Sequence, residues 1–282
     1  MSPTTQHFIV IGNPIAHSQS PLIHQAFAAQ CGLDICYQRQ YCPDNADSFR
    51  AVVAAFFNGG GVGANVTVPF KQVAYDCCLD AGGLSEHAKV AGAVNTLSLK
   101  NGSLYGDNTD GQGLVNHITS LGWTLAGANI AIIGAGGAAR GIILPLIQAG
   151  AGQLTLANRT VNTAATLVNE LSHAHADIKR LEMTCCATAE LTGQFDIIIN
   201  ATSIGLTEAR LPLADNLTSH YAYDMMYGRT LPFLAHFAAQ GAQISDGYGM
   251  LIGQAALSFE HWTGQVIDVT KATDALTLSS AP

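Results

Sequence analysis

Several short stretches of the 282-residue chain place polar, charged or glycine residues at spacings that chemistry could use. The most explicit is Gly134-Ala135-Gly136-Gly137-Ala138-Ala139, a G-x-G-x-x-A turn. Its first glycine permits a tight bend, its second lets a pyrophosphate approach the backbone, and the small last residue lets the following helix pack on the preceding strand. The free N–H groups and positive dipole end of that helix then face the phosphates, an anion site made from backbone alone. A further apolar run, Leu154 to Ala157, ends about where a ribose-reading residue belongs, and Asn158, Arg159 and Thr160 follow it. An acidic side chain there would suit the 2′-hydroxyl of NAD, whereas a guanidinium suits a 2′-phosphate, so the expected cofactor is NADP. An arginine merely solvated on a loop is the competing reading.

Three polar groupings lie N-terminal to that turn. Ser20-Pro21 reads as a helix start with Ser20 as N-cap, which sets Ser18 and Ser20 beside a positive dipole end. Two hydroxyls there either bind a carboxylate or only cap. In the strand-like run from Gly63, Asn65 and Thr67 point one way and Val66 and Val68 the other, until Pro69 stops the strand and Lys71 follows. That is either a site or a solvated lysine. Asp107-Asn108-Thr109-Asp110-Gly111 precedes a helix expected through 113–121, so Asp110 is either its cap or part of a site.

The elements needed to position these groups are legible in coarse form. Strands are expected at Phe8–Ile11, Ile35–Tyr41, Ile130–Ile133, Leu154–Ala157, near 178–183, and at Phe195–Ile199, Tyr223–Tyr227 and Gln243–Asp246. Helices are expected from Ser20 to Gly32, over Asp47–Asn58, irregularly over 72–93, near 161–172, over Leu231–Gln240 and from Gly247 to Trp262. Thr96–Tyr105 reads as a hairpin turned by Asn101-Gly102, the dipeptide that two-residue I′ turns prefer. The tail beyond Lys271, small and polar, is expected to fray. By the rule for doubly wound sheets, the loop after Asn200 should line the cofactor site.

Composition narrows the function classes. Charged residues make up 11% and hydrophobic residues 48% of the chain, a balance that implies extensive buried surface. The formal net charge of -8 and the lack of a basic run argue against nucleic acid or an anionic membrane as partners. Residues 129–157 carry only Arg140 as a charge, yet six glycines and Pro145 interrupt them, so no spanning helix is expected. The N-terminus lacks a basic, extended apolar leader, and a cytoplasmic protein is expected. Seven cysteines without C-x-x-C read as reduced, mostly buried thiols, and ten histidines without zinc spacing predict no metal site.

Taken in order, the markers resemble the shikimate dehydrogenase family over nearly the whole chain. They are Gly12-Asn-Pro-Ile-Ala-His-Ser-Gln-Ser20, Asn65-Val-Thr-Val-Pro-Phe-Lys71, Gly92-Ala-Val-Asn-Thr96, Asn108-Thr-Asp-Gly111, Gly134-Ala-Gly-Gly-Ala138, Asn158-Arg-Thr160, Asn200-Ala-Thr-Ser203 and Asp246-Gly-Tyr-Gly-Met250. The resemblance implies an α/β fold with an N-terminal α/β substrate domain, residues 1–112 with 248–282 returning to it, and a C-terminal Rossmann-like NADP-binding domain, 113–247. It implies NADP-dependent, reversible reduction of 3-dehydroshikimate to shikimate on the route to chorismate and aromatic amino acids, by a monomer or homodimer. Lys71 and Asp110 would be the catalytic pair. Ser18 and Ser20 would bind the substrate carboxylate with Tyr227 near it, and Thr67, Asn95, Asp110 and Gln254 the ring hydroxyls. Glu86, Gly134, Ala135, Gly136, Gly137, Ala138, Asn158, Arg159, Thr160, Met225 and Gly247 would contribute to the cofactor site.

Hydride addition to a ketone leaves an alkoxide that needs a positive donor and then a proton, and Lys71 held charged by Asp110 would provide both. The chain departs from the family pattern at Thr163, where many members carry a second basic residue for the 2′-phosphate. The loop after Ser203, with Glu208 and Arg210 before Pro212, looks short. The nearest alternative is a quinate/shikimate dehydrogenase of broader range that uses NAD, disfavoured by the missing acid after Ala157. A non-catalytic NADP-binding sensor would have lost Lys71 or Asp110. A folate-linked dehydrogenase of similar layout is disfavoured by Ser18, Ser20 and the Asn-Thr-Asp segment.

Overall fold

A computed structural model describes residues 5–204 and 211–279. The chain divides into two compact units, Met1–Gly113 with Ile252–Pro282, and Leu114–Leu251.

In the first unit, strands β1 (Gln6–Gly12), β2 (Ile35–Tyr41), β3 (Gly63–Val66), β4 (Thr96–Lys100) and β5 (Ser103–Asp107) form one sheet in the order β2-β1-β3-β4-β5. The first three are parallel, and β4 and β5 run antiparallel to their neighbours. Alternation along β1 buries both faces. Ile9 and Ile11 pack with Phe49, Val53 and Phe57 of α2 (Ala46–Asn58) and with Ala74 and Cys78 of α3 (Lys71–Asp80). Phe8 meets Tyr37, Phe259 and Trp262, the last two from helix α10 (Tyr248–Thr263). The Trp262 indole donates to the Leu97 carbonyl at 3.0 Å, and a Cβ on Gly63 would collide with its ring. Helix α1 (Ser20–Cys31) closes on left-handed Gly32. The short helix α4 (Glu86–Ala91) is capped by Ser85, and α5 (Asp110–Ser120) follows β5. Asn101 and Gly102, with φ of 53° and 77°, make the I′ hairpin that their sequence predicts.

The second unit is an all-parallel sheet of β6 (Asn129–Ile133), β7 (Gln153–Asn158), β8 (Met183–Ala187), β9 (Gly193–Asn200), β10 (Leu217–Asp224) and β11 (Gln243–Ser245). Its order, β11-β10-β9-β6-β7-β8, is that of a doubly wound dinucleotide fold, whose ligand crevice opens where the order reverses, between β6 and β9. Ile130, Ala131, Ile132 and Ile133 are at most 1% exposed, as a strand covered on both faces must be. Helices α6 (Gly137–Gln148), α7 (Val161–Ala174), α8 (Ala176–Arg180) and α9 (Pro232–Ala238) connect the strands.

The structure corrects several expectations. Residues 178–183 are not a strand: Ala176–Arg180 is helical and the strand begins at Met183. The strand expected at Tyr223–Tyr227 ends at Asp224. The tail does not fray at Lys271, because α11 (Val269–Ser279) lies against α1 with Ala272 and Leu276 buried. Ser20 is not an N-cap: Gln19 occupies that position without a side-chain bond, and Ser20 is already helical. Val68 does not share the buried face of Val66, since β3 stops at Val66 and Val68 is 67% exposed. All seven cysteines are free, but only Cys42 and Cys78 are fully buried. Among the described residues no helix is long and apolar enough to cross a membrane. The loop with Glu208 and Arg210 lies outside the described residues.

Candidate active site and dinucleotide cradle

Lys71 opens α3 directly after Pro69 and Phe70, and Asp110 opens α5 directly after the hairpin. Although 39 residues apart in sequence, the Lys71 Nζ and Asp110 Oδ2 atoms lie 2.5 Å apart. Both side chains are partly open, at 30% and 24% exposure, so the pair is shielded from bulk water yet reachable by a ligand. The Asp110 carboxylate is engaged by Lys71 and by Asn95 Nδ2 at 2.8 Å.

Asn95 is the hub beneath this pair. Its Nδ2 also faces Thr109 Oγ1 at 3.0 Å and Gln254 Oε1 at 3.2 Å, while its Oδ1 accepts from Thr96 Oγ1 and the Thr109 amide. Buried as it is, an asparagine needs this full set of partners. A deeper layer holds the hub. Asn65 donates to the Asn95 carbonyl at 3.2 Å and to Ser258 Oγ at 3.0 Å, and accepts from the Tyr37 hydroxyl at 2.7 Å. Asn65 is therefore an inner support, 5% exposed. Ser258, one helical turn from Gln254 on α10, was missed by the sequence reading, although the four-residue spacing places it on the same face.

Ser18 and Ser20 come together, hydroxyl to hydroxyl, at 3.2 Å, and the Ser20 amide donates to Ser18 Oγ at 3.3 Å. The Ser18 carbonyl is held by Arg39 of β2 through Nε and Nη2, at 2.9 and 2.7 Å. Nothing in the strand pattern of β2 singles out Arg39, and the sequence reading missed it. Thr67 is half-buried beside Gly12, where an added Cβ would sit 2.6 Å from the Thr67 methyl. That close approach explains the glycine in the first marker.

In the second unit Gly134 turns with φ of 113°, and Gly136 is the N-cap of α6. A Cβ on Gly136 or Gly137 would meet nothing within 4 Å. The absence of side chains there leaves a concave backbone surface open at a helix N-terminus, which fits a pyrophosphate. Ala201 and Thr202, after β9, close on Gly134, so the loop after Asn200 reaches the turn after β6 as the doubly wound rule requires. Asn200 donates to Asp224 Oδ2 at 2.9 Å, and burial pushes that carboxyl above its usual range. Asn158 is the last residue of β7 and donates to the Thr160 carbonyl, whereas Arg159 and Thr160 are exposed. The Gly247 amide donates to the Met226 carbonyl at 3.0 Å, and Gly247 packs so close to Met225 that an added Cβ would meet the Met225 carbonyl. Tyr227 is 38% exposed and packs near Tyr248. Glu86, in the first turn of α4, belongs to the first unit and shares no element with the glycine turn.

Comparison with known proteins gives three family-model matches. They are the shikimate dehydrogenase substrate-binding domain over residues 10–97, shikimate/quinate 5-dehydrogenase over 114–209 and the shikimate 5′-dehydrogenase C-terminal domain over 247–277. The chain is 70% identical to a shikimate dehydrogenase (NADP(+)) of Psychrobacter arcticus, covering 98% of this chain and 99% of that one. It is 47% identical to the Acinetobacter baylyi enzyme of the same name, over 92% and 96%. The crystal structure of shikimate 5-dehydrogenase from Thermus thermophilus in complex with NADP(H) and shikimate matches with a TM-score of 0.83 at 28% identity, covering 98% of this chain and 100% of that one. With its markers in register and these matches spanning both units, the chain belongs to the shikimate dehydrogenase family.

Proposed function

We propose that this protein catalyses the reversible, NADP-dependent reduction of 3-dehydroshikimate to shikimate on the route to chorismate. The observation that carries the reading is the Lys71–Asp110 pair at 2.5 Å, seated on Asn95 and open to a ligand. The unit of residues 1–113 and 252–282 takes the substrate, and the unit 114–251 takes the dinucleotide.

NADPH supplies a hydride when bound. The protein's task is to receive the negative charge that forms on the ketone oxygen. Lys71 stabilises that oxygen as an ammonium and then donates its proton, yielding the alcohol. Asp110 keeps the ammonium aimed and accepts a substrate hydroxyl. Asn95, Thr67 and Gln254 fix the remaining ring hydroxyls, and Ser18 and Ser20, with Tyr227, hold the carboxylate. Arg159 provides a cation for the 2′-phosphate, with Asn158, Thr160, Met225 and Gly247 completing the cofactor contacts. In the reverse direction Lys71, having lost its proton, receives one from the alcohol.

The deciding assay uses purified protein with shikimate or quinate, each paired with NADP or NAD, following nicotinamide absorbance. Turnover is expected with shikimate and NADP. Robust turnover with quinate and NAD, with little on the first pair, would assign the protein to the broader-range alternative instead.

A further inference from the structure

A cavity of about 500 Å³ lies beside the glycine turn, lined by Gly136, Gly137, Arg140, Asn162, Thr163 and Glu170 among others. It therefore joins the proposed pyrophosphate cradle on α6 to the first turns of α7, the region that follows the ribose-reading Asn158-Arg159-Thr160. Arg159 is exposed and does not line it. Among the described residues the one cation lining it is Arg140, whose Nη1 binds Glu170 Oε2 at 2.7 Å. Thr163 is too short to fill the space and too neutral to balance a phosphate dianion, and the Arg140–Glu170 pair is screened by solvent on its Glu170 side, which is 53% exposed.

We propose that Arg140 is a specificity-determining residue for NADP: its guanidinium exchanges Glu170 for the 2′-phosphate and supplies the second cation that Thr163 lacks. Glu170 holds the arginine while the cavity is empty and competes with the phosphate for it. A guanidinium suits this exchange, since its planar fork matches a carboxylate and a phosphate equally well and its stem is flexible. The inference rests on the cofactor assignment made above and adds a selectivity mechanism to it.

Isothermal titration of the whole protein with NADP and with NAD tests it without reliance on turnover. Arg140→Gln should weaken NADP binding about tenfold, the loss of one charge-assisted contact, and leave NAD within about twofold. Glu170→Gln, at a half-exposed position, should tighten NADP and leave NAD unchanged. Equal weakening of both dinucleotides by Arg140→Gln would place the arginine on the shared pyrophosphate and overturn the proposal. So would an Arg140→Gln protein that melts normally and binds NADP as before, or a Glu170→Gln protein with unaltered affinity. Wild-type protein with no preference for NADP over NAD would instead sink the cofactor assignment, and this inference with it.

Discussion

The cluster around Lys71 and the turn around Gly136 are built by opposite means. At the first, side chains hold side chains: Lys71 to Asp110, Asp110 to Asn95, Asn95 to Thr109 and Gln254, with Asn65 and Ser258 below. At the second, backbone and empty space prevail, and the glycines differ among themselves. Gly134 is required by the fold, because its φ is 113° and a Cβ would sit 3.0 Å from Thr202 Cγ2. Gly136 has φ of -93° and open space around it, so only a ligand needs it to be glycine. Pre-organised donors suit a reacting centre, where geometry must not relax as charge develops; an open cradle suits an anion bound by many small contributions.

Substitutions sharpen or break this contrast. The largest effect belongs to Lys71→Ala, expected to lower kcat on the order of 10²-fold or more with a smaller change in the shikimate KM. A variant with near-normal kcat would remove Lys71 from the chemistry. Gly136→Val should weaken NADP by about tenfold or more through lost backbone contacts, with a melting temperature lowered only slightly by the poorer N-cap. Gly134→Val should lose stability by roughly 1–3 kcal/mol, the scale of a strained backbone residue. If the two glycine variants melt alike, the division between fold-required and ligand-required glycines fails. Arg39→Gln removes the clamp on the Ser18 carbonyl and should raise the shikimate KM several-fold at nearly constant kcat. An unaltered KM would mean that the Ser18 turn holds itself.

The smallest effect under ordinary assay conditions concerns His24, buried between Tyr37, Phe27, Phe259 and Trp262. Burial lowers its pKa from 6.5 to about 3, against a smaller opposing contribution from Asn65. The unfolded chain therefore binds a proton in that window which the folded chain refuses, so stability is intact above pH 6.5 and falls as the pH drops toward 3. Urea midpoints measured between these limits should decline, and His24→Phe should flatten part of that slope. A variant with the wild-type slope would remove His24 as a cause.

What the sequence disclosed follows the range of the physics. The G-x-G-x-x-A turn, the Asn-Gly hairpin and the apolar strands were legible because their causes lie within a few residues. The Lys71–Asp110 pair came only through family resemblance, since spacing alone left a solvated lysine and a helix cap as equal readings. Helix α8 was misread because its stability is tertiary: it spans five residues and is fixed by the fully buried Ile178 and a cap from His175. In α11 the polar composition hid Ala272 and Leu276, an i, i+4 pair that only a packed neighbour makes informative. Arg39, Ser258 and Arg140 escaped because each acts across the fold on a backbone or side-chain group that no local pattern names.

Helix α10 carries Phe259 and Trp262 onto Phe8 and brings Gln254 and Ser258 to the asparagine hub. Vectorial synthesis therefore delivers the first unit in two instalments. Strands β1 to β5 emerge early, then wait while Leu114–Leu251, an uninterrupted segment, is translated and free to fold. At about 5–20 residues per second that delay is on the order of ten seconds. Throughout it Phe8 lacks the Phe259 and Trp262 rings that meet it in the finished fold, so the core of the first unit is the last to close.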